Sequence, residues 1–229
     1  MFSASSGPDR YFVPAGPSAG EFRDRGSKFL AALTPVRSAE AALEAVTEQR
    51  TLHPKCNHHC YAYRVGEGAD AWRANDDGEP SGTAGKPILA QIDKAGLSDV
   101  VVVVSRYFGG TKLGTSGLVN AYREAAARAL AQVSVTERVI TVPVRLRFGY
   151  ALMSPVMSAL SSLALEMAAS DFGFTAEVDL LLPRSEVEAT LRQLKAAVAQ
   201  VYLEEVDDDF VVPGLDIRRG QTGDIPGAG

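Results

Sequence analysis

The sequence has little cysteine, no long apolar run and no recognisable leader. Its only two cysteines, Cys56 and Cys60, lie too close along an extended segment for their Cα atoms to reach bridging distance. We therefore expect two reduced thiols.

No stretch of about eighteen uncharged apolar residues occurs, so we expect no membrane span. Residues 1–14 lack the basic start and apolar core of a secretory signal, which makes the cytoplasm the expected compartment.

The composition is that of a globular protein. Hydrophobic residues make up 46% and charged residues 22% of the 229 residues, and this length favours two domains. Residues 1–138 carry 16 Lys and Arg against 15 Asp and Glu, a net +1, whereas residues 139–229 carry 7 against 13, a net −6. If either half contacts phosphates, charge favours the first half.

Apolar periodicity predicts an α+β first domain over residues 1–137. Two strands, Tyr11–Val13 and Ser27–Ala32, open a sheet and are joined by the turn-rich stretch Pro14–Gly20. The remaining predicted elements are a helix over Ala39–Arg50 capped by Ser38, a hairpin of His59–Val65 and Ala71–Ala74, a helix carrying Ile88 and ending at Gly96, a strand over Asp99–Ser105 and a long helix lined by Leu118 and Tyr122.

In the second half, the pattern of apolar residues predicts the order β-α-β-β-α-β over residues 138–213. This order closes one antiparallel sheet under two helices. The predicted strands are Ile140–Phe148, Leu165–Ala169, Phe174–Leu182 and Tyr202–Val212. A helix follows Leu152, and Ser185 with Glu188 forms a capping-box pattern before the other. We predict that residues 214–229 form a flexible tail.

All three histidines lie close to the two cysteines, between His53 and Cys60. Imidazole and thiolate are preferred zinc ligands, but His58 and His59 would point to opposite faces of a strand and no second ligand group exists to complete four. We expect no metal and no cofactor. His58 and Cys60 could also form a base and nucleophile, yet no orienting carboxylate can be assigned to them.

The loop between the hairpin and the next helix carries three acids, Asp76, Asp77 and Glu79. Such a cluster could hold Mg²⁺ or act as a paired acid and base. A polar turn with its charge ahead of a helix N-terminus is the more usual role for this pattern.

The segment from Gly109 to Ser116 combines a strand end, a glycine-rich turn and a helix start, which resembles a phosphate cradle. The Walker spacing fails because Lys112 precedes Gly114, so nucleotide hydrolysis is disfavoured. Contact with an anion or an RNA backbone through Arg106, Lys112 and loop amides, or a purely structural tight turn, are equal alternatives. Tyr107 and Phe108 could stack on bases, or one of them could pack inward.

Two ordered segments carry a family resemblance: residues 78–89, Gly-Glu-Pro-Ser-Gly-Thr-Ala-Gly-Lys-Pro-Ile-Leu, and residues 103–114, Val-Val-Ser-Arg-Tyr-Phe-Gly-Gly-Thr-Lys-Leu-Gly. With residues 58–63 upstream and 117–122 downstream, the match covers most of residues 20–133. The chain resembles the IMPACT family, in particular its bacterial YigZ-type branch. Ser116 stands where that family's pattern leads us to expect glycine.

The resemblance implies an N-terminal domain with a fold like domain two of ribosomal protein S-five and a ferredoxin-like C-terminal domain, an order similar to domains IV and V of elongation factor G. Eukaryotic relatives regulate translation by competing for a ribosome-associated activator of a stress kinase. Their RWD partner-binding module is absent here, so that role is not carried over.

The resulting expectation is a monomeric, non-enzymatic regulator of translation that binds RNA, the ribosome or a translation factor and does not associate with membranes. The expected binding residues are His58, Asp77, Glu79, Thr83, Lys86, Arg106, Tyr107, Phe108, Gly109, Gly110, Lys112 and Gly114. The alternative is an enzyme acting on a small or peptide substrate in a cleft lined by His58, Asp76, Asp77, Glu79 and Arg106. A pure protein-interaction module is a third possibility that the sequence does not separate from the first.

Overall fold

The computed structural model describes residues 8–67 and 71–220, which divide into two units. The first spans Arg10–Arg138, and the second runs from Val139 onward and includes the short segment that ends at Asp9. Within the described residues, no helix is both long and apolar enough to cross a membrane.

The first unit contains a five-stranded sheet with helices on both faces. The strands follow the order β2-β3-β6-β4-β5, and every neighbouring pair is antiparallel. A separate two-stranded sheet pairs β1 with β7. The elements are β1 (Arg10–Pro14), β2 (Ser18–Asp24), β3 (Ser27–Pro35), α1 (Ala39–Leu52), β4 (His58–Val65), β5 (Ala71–Asn75), α2 (Gly85–Ala95), β6 (Val100–Tyr107), α3 (Gly114–Leu130) and β7 (Val135–Val139).

The central strand β6 is buried on both faces, as its valine run predicts. Val100, Val102 and Val104 belong to the core shared with α2 and α3, whereas Val101 and Val103 belong to the core beneath α1. Alternation is lost because both faces of the strand meet a helix layer.

Antiparallel pairing places several chain reversals at one edge of this sheet. Lys28 at the start of β3 lies opposite Tyr107 at the end of β6, and His58 at the start of β4 lies opposite Arg106. Asn75, which ends β5, pairs with Tyr61. The segments 24–28, 53–58, 75–85 and 106–114 therefore share this edge, from which α2 and α3 both begin. We call these four segments the loop edge.

Gly109 at the loop edge is required by a close contact between two backbone segments. A Cβ at this position would lie 1.9 Å from the carbonyl carbon of Gly26 and 2.2 Å from the nitrogen of Ser27. The Gly109 N–H donates to Ser27 Oγ at 3.2 Å. The glycine therefore joins the turn before β3 to the loop after β6.

The second unit has one four-stranded antiparallel sheet in the order β11-β8-β10-β9. The predicted order β-α-β-β-α-β is confirmed, and the inward residues Val144, Leu146 and Phe148 of β8 pack in one core with both helices. The elements are β8 (Thr141–Phe148), α4 (Met153–Ser162), β9 (Met167–Phe172), β10 (Ala176–Pro183), α5 (Val187–Ala199) and β11 (Leu215–Arg219).

The last strand was placed wrongly from the sequence. Tyr202–Val212 holds a short 3₁₀ turn and loop, pinned where Arg192 Nε donates to the Val206 carbonyl at 2.6 Å and Lys195 Nζ to the Phe210 carbonyl at 2.8 Å. The fourth strand is β11, so the prediction of a flexible tail from residue 214 is also wrong for Leu215–Arg219. Residues 221–229 of that predicted tail lie outside the described residues.

Three other predictions are corrected. The stretch after Pro14 contains the edge strand β2, which was missed because its residues are mostly small or charged, and β1 pairs with β7 instead of opening the main sheet. Ser185 forms no capping box, since its N–H and hydroxyl both donate to Asp9 Oδ2. Phe174 precedes β10 and is fully exposed.

Replacing Gly109 by alanine should destabilise the first unit by about 1–3 kcal/mol, because the new Cβ forces two backbone segments apart. Urea unfolding followed by the fluorescence of Trp72, the single tryptophan and a residue of β5, measures this change. Gly16→Ala is the matched control, since a Cβ there meets nothing within 4 Å. Equal effects of the two substitutions would contradict the close-contact explanation.

Candidate functional site

A buried charged network joins the loop after β5 to the sheet and to α3. Glu79 Oε1 accepts one hydrogen bond from Arg106 Nη1 and another from the Tyr122 hydroxyl, each at 2.7 Å. The Arg106 and Glu79 side chains are 8% and 4% exposed. Burial, together with the nearby Cys60 and Glu79, raises the pKa of Tyr122, so the phenol stays protonated and donates. Glu79 is therefore fully engaged inside the protein.

The Arg106 guanidinium lies over two aromatic rings. Its central carbon is 5.5 Å from the ring centroid of Phe29 and 5.5 Å from that of Phe108. Phe108 is 56% exposed, whereas Phe29 is fully buried. Phe108 thus covers the guanidinium while keeping more than half of its surface open. The Nε atom of Arg106 is buried and has no hydrogen-bond partner among the described residues.

Asp76 holds the glycine-rich loop closed. Its carboxylate accepts from the backbone N–H groups of Gly82, Ala84 and Gly85 at 2.8–2.9 Å, and so caps α2, which has no side-chain bond from its own N-cap residue. Burial by itself would raise the pKa of Asp76, but these N–H donors outweigh it and the pKa is lowered. The carboxylate is therefore ionised and structural.

Asp77 clamps the same loop to the start of β4. Its carboxylate accepts from the His59 N–H at 2.6 Å and from Arg50 Nη2 at 2.5 Å. Its carbonyl lies 2.8 Å from His58 Nδ1, which must donate because a carbonyl oxygen only accepts. His58 and Asp77 are thus brought together through the main chain, without a contact between the imidazole and the carboxylate.

His59 and Thr83 also have structural roles. His59 is buried with Nδ1 2.8 Å from Ser105 Oγ, and burial, with the nearby Arg50 cation, lowers its pKa. The Thr83 hydroxyl donates to the Pro80 carbonyl at 2.6 Å. Thr83, predicted as a binding residue, is itself buried, so it shapes the loop instead of facing a ligand.

Tyr107 lies on the opposite side of the sheet from Phe108. Its hydroxyl is 3.1 Å from His53 Nδ1, and burial together with the nearby Cys56 raises its pKa. Tyr107 and Phe108 therefore do not form one stacking surface. His53 was not predicted as a partner, because the bond spans the sheet edge from the end of α1, which only the strand register reveals.

In segment 106–114 and the first turn of α2, the exposed residues include glycines, Thr111 and two lysines. Gly109, Gly110, Lys112 and Gly114 are exposed, as is Lys86 in the first turn of α2. The first turn of α3 contains no acid and receives no side-chain cap from Leu113. The N-terminus of α2 is thus occupied by Asp76, whereas the N-terminus of α3 faces solvent with its positive dipole end.

The residues of the enzyme alternative do converge at the loop edge, yet each acid is bonded within the protein. Asp76 binds backbone N–H groups, Asp77 binds Arg50 and His59, and Glu79 binds Arg106 and Tyr122. The described residues contain no group of three or more His, Cys, Asp or Glu side chains placed to hold a metal. The acidic side chains of this loop are therefore used to hold the loop in place within the protein.

Removing the Glu79 carboxylate should be among the most destabilising changes in the first unit. Glu79→Ala leaves the Arg106 charge buried without its counterion, and we expect a loss of about 3–5 kcal/mol in urea unfolding. Tyr122→Phe removes one bond to the same carboxylate and should cost about 1.5–3 kcal/mol. Glu124→Ala, on the exposed side of α3, should stay within about 0.5 kcal/mol; a similar small loss for Glu79→Ala would disprove the network's role.

Acid should weaken the first unit partly through Asp76. Because its pKa is lowered on folding, its contribution is complete above the unfolded value of about 3.9 and is lost as pH falls through the folded value. The difference in unfolding free energy between pH 7 and pH 3 should be smaller in Asp76→Asn than in the native chain. Glu44→Gln, an exposed change on α1, should keep the native pH dependence, and an unchanged dependence in Asp76→Asn would count against the prediction.

Comparison with known proteins agrees with this architecture. The family model for the Impact N-terminal domain matches residues 25–130, which include β3 to α3 and the whole of segments 53–58, 75–85 and 106–114. A crystal structure described as that of a hypothetical protein is similar to this chain with a TM-score of 0.60 and 31% sequence identity, covering 84% of this chain and 94% of that one.

Two relatives show how far the sequence similarity extends. The Saccharomyces cerevisiae protein named Protein IMPACT homolog is 35% identical over 114 residues, which cover 46% of this chain and 43% of the yeast protein. The Escherichia coli IMPACT family member YigZ is 33% identical over 181 residues, covering 78% of this chain and 89% of that protein. Because the second match spans both units and nearly the whole relative, this chain belongs to the IMPACT family.

Proposed function

We propose that this chain is a non-enzymatic regulator of translation that binds phosphate groups of RNA at the loop edge. One observation carries the proposal: the three acids of segment 75–85 are bonded inside the protein, while Lys86, Lys112 and the N-terminus of α3 face outward. An enzyme in the same place has less support, because none of these acids is left to exchange a proton with a substrate.

In segment 75–85 the acidic side chains are bonded within the protein, whereas the nearby Lys86 and Lys112 are exposed. Asp77 and Glu79 are matched by Arg50 and Arg106, and the ionised Asp76 carboxylate is stabilised by three backbone N–H donors. Lys86 contributes to the low pKa of Asp76 but forms no direct ion pair among the described residues, and neither does Lys112. The two ammonium groups are therefore available to a ligand anion.

The start of α3 adds backbone donors to these cations. An uncapped helix N-terminus presents N–H groups and a partial positive charge, which together suit phosphate. The left-handed backbone of Gly110 and Gly114, with φ of +87° and +74°, lets the loop turn into the helix without a side chain in the way. Phe108 supplies an exposed ring beside them, suited to stacking on a base of single-stranded RNA.

The link to translation is supported by family membership and by the match to a eukaryotic relative over 46% of this chain. We infer that the cellular RNA is ribosomal or otherwise associated with translation, that a translation factor could share the surface, and that the chain acts in the cytoplasm as a monomer. The strand orders of the two units support the fold names that the resemblance implies, a domain like domain two of ribosomal protein S-five and a ferredoxin-like domain.

Replacing the two lysines together should weaken RNA binding and flatten its salt dependence. Each phosphate contact to single-stranded RNA contributes about 0.7 to the slope of log K against log salt, so Lys86→Gln/Lys112→Gln should lower the slope by about 1.4. Fluorescence anisotropy with a labelled single-stranded RNA of twenty nucleotides measures this slope, and cosedimentation with ribosomes across the same salt series tests the translation partner.

Lys94→Gln is the matched control, because Lys94 is exposed on the same helix as Lys86 but in its last turn, at the opposite edge. It should bind RNA as the native chain does. Absence of salt-sensitive binding to both RNA and ribosomes would rule out the proposed function. An equal loss in the control would show that binding follows total charge and not the loop edge.

A further inference from the structure

The outer face of the second unit's sheet concentrates arginine in one place. A cavity of about 500 Å³ is lined by Arg145, Arg147, Arg218 and Arg219, with Pro143, Glu177, Asp179 and Gly220 completing the lining. Residues 139–229 hold only 7 Lys and Arg against 13 Asp and Glu. Four of those seven basic residues therefore line a single cavity, and the lining contains only two acids, in the half of the chain that is acidic overall.

The strand register explains three of the four positions, whereas Arg219 lies opposite the core residue Val144 at the end of β11. Alternate residues of β8 face the helices, which leaves Arg145 and Arg147 on the outer face. Arg218 of β11 lies directly opposite Arg145, whose other neighbour is Asp179 of β10. Like charges directly opposite each other on neighbouring strands are destabilising. The Arg145 and Arg218 pair therefore does not help the sheet to form, and a bound anion would relieve its repulsion.

In the ion pairs of Arg145 and Arg147, the arginine side chain is more exposed than its acidic partner. Asp179 accepts from Arg145 Nε and Nη2 at 2.7 and 2.8 Å, and its side chain is only 8% exposed against 44% for Arg145. Arg147 meets Glu177 at 3.4 Å through Nε. The two lining acids lie deeper than the guanidinium groups that they hold, so the cations are the more exposed charges of the lining.

Two of these arginines, Arg147 and Arg218, keep hydrogen-bond donors that a ligand can use. Arg218 uses Nε to bind Asp216 at 2.8 Å and is 71% exposed, and Arg147 is 52% exposed. Arg219 binds Glu188 on α5. No described acid binds the terminal nitrogens of Arg147 or Arg218. A guanidinium whose terminal nitrogens face an opening presents the planar fork that matches two phosphate oxygens.

We propose that this cavity, which we call the arginine cavity, binds a phosphate-bearing ligand of nucleotide size. The volume lies within the usual range of small-molecule sites, about 300–1,000 Å³. The described lining has no aromatic residue, so recognition rests on phosphate oxygens and not on the base. The phosphate can come from a free nucleotide or from a phosphodiester chain, and the site lies in a different unit from the loop edge and does not depend on its function.

Calorimetric titration of the full chain at low salt distinguishes these sources. The probes are inorganic pyrophosphate, a nucleoside diphosphate with either a purine or a pyrimidine base, and a single-stranded RNA of eight nucleotides. We expect binding of pyrophosphate and of both nucleotides with similar affinity, weakened at least tenfold in Arg147→Gln/Arg218→Gln. Binding of RNA alone, with the same loss, would identify the phosphodiester chain as the source.

Two further variants separate charge from geometry. Arg147→Lys/Arg218→Lys keeps both charges but loses the planar fork, and should bind with intermediate affinity. Arg184→Gln removes an exposed arginine of the same unit outside the cavity and should bind within twofold of the native chain. Because all three arginines are exposed, the variants should keep the native thermal unfolding curve, which is recorded for each.

The proposal is overturned by either of two results. One is no binding of any probe at millimolar concentration. The other is binding that persists unchanged in Arg147→Gln/Arg218→Gln, which would place the anion at the loop edge or elsewhere. An equal loss in Arg184→Gln would likewise show that the effect follows net charge and not the cavity.

Discussion

The position of the Glu79 carboxylate constrains the rest of the first unit. A buried carboxylate is costly unless cations and hydrogen-bond donors surround it, and here one guanidinium and one phenol fill that role. The guanidinium belongs to β6 and the phenol to α3, whereas the carboxylate belongs to the loop after β5. The three elements must therefore meet at one point, and the loop cannot lift away without leaving a charge buried and unpaired.

The neighbouring contacts follow from this closed loop. With Glu79 held down, Asp76 reaches the first N–H groups of α2 and Asp77 reaches the start of β4. The acids in segment 75–85 become internal ligands for backbone and arginine donors. Their removal from the surface changes what this part of the loop edge presents, since the outward residues of segment 106–114 and the first turn of α2 include glycines, a threonine, an aromatic ring and two lysines. A segment that is acidic in sequence thus lies beside outward-facing lysines.

Sequence patterns predicted the parts of the fold that depend on local periodicity. The valine run of β6, the Ser38 cap of α1 and the Gly96 end of α2 each follow from neighbours within one turn or one strand, and each is found in the structure. The strands β2 and β11 were missed because edge strands are short, half polar and stabilised by distant partners. Local patterns do not record which distant strand will supply those hydrogen bonds.

The residues of the proposed site lie together in the structure, but the sequence did not show which of them are buried. The residues named from the two motifs do gather at one edge, because both motifs follow strands whose ends meet there. The sequence could not show which of these residues face outward. That depends on contacts with Arg50, Tyr122 and the backbone of α2, which come close only in the folded chain. Thr83 and Glu79 proved to be internal, and Tyr107 lies across the sheet from Phe108.

The net charge of each unit does not describe how its charges are distributed over the surface. The first unit is nearly neutral and the second is strongly acidic in sequence, yet each has a surface where some cations are exposed above buried acids. Coulomb interactions with a ligand depend on distance and on the surrounding dielectric, so a buried and paired carboxylate opposes an approaching anion less than an exposed guanidinium attracts it. Asp179 beneath Arg145 shows this arrangement in the second unit, whereas in the first unit Arg106 is buried together with Glu79 and the exposed cations are lysines. The relevant quantity for this chain is therefore the depth of each charge within a cluster, not the sum of charges along a domain.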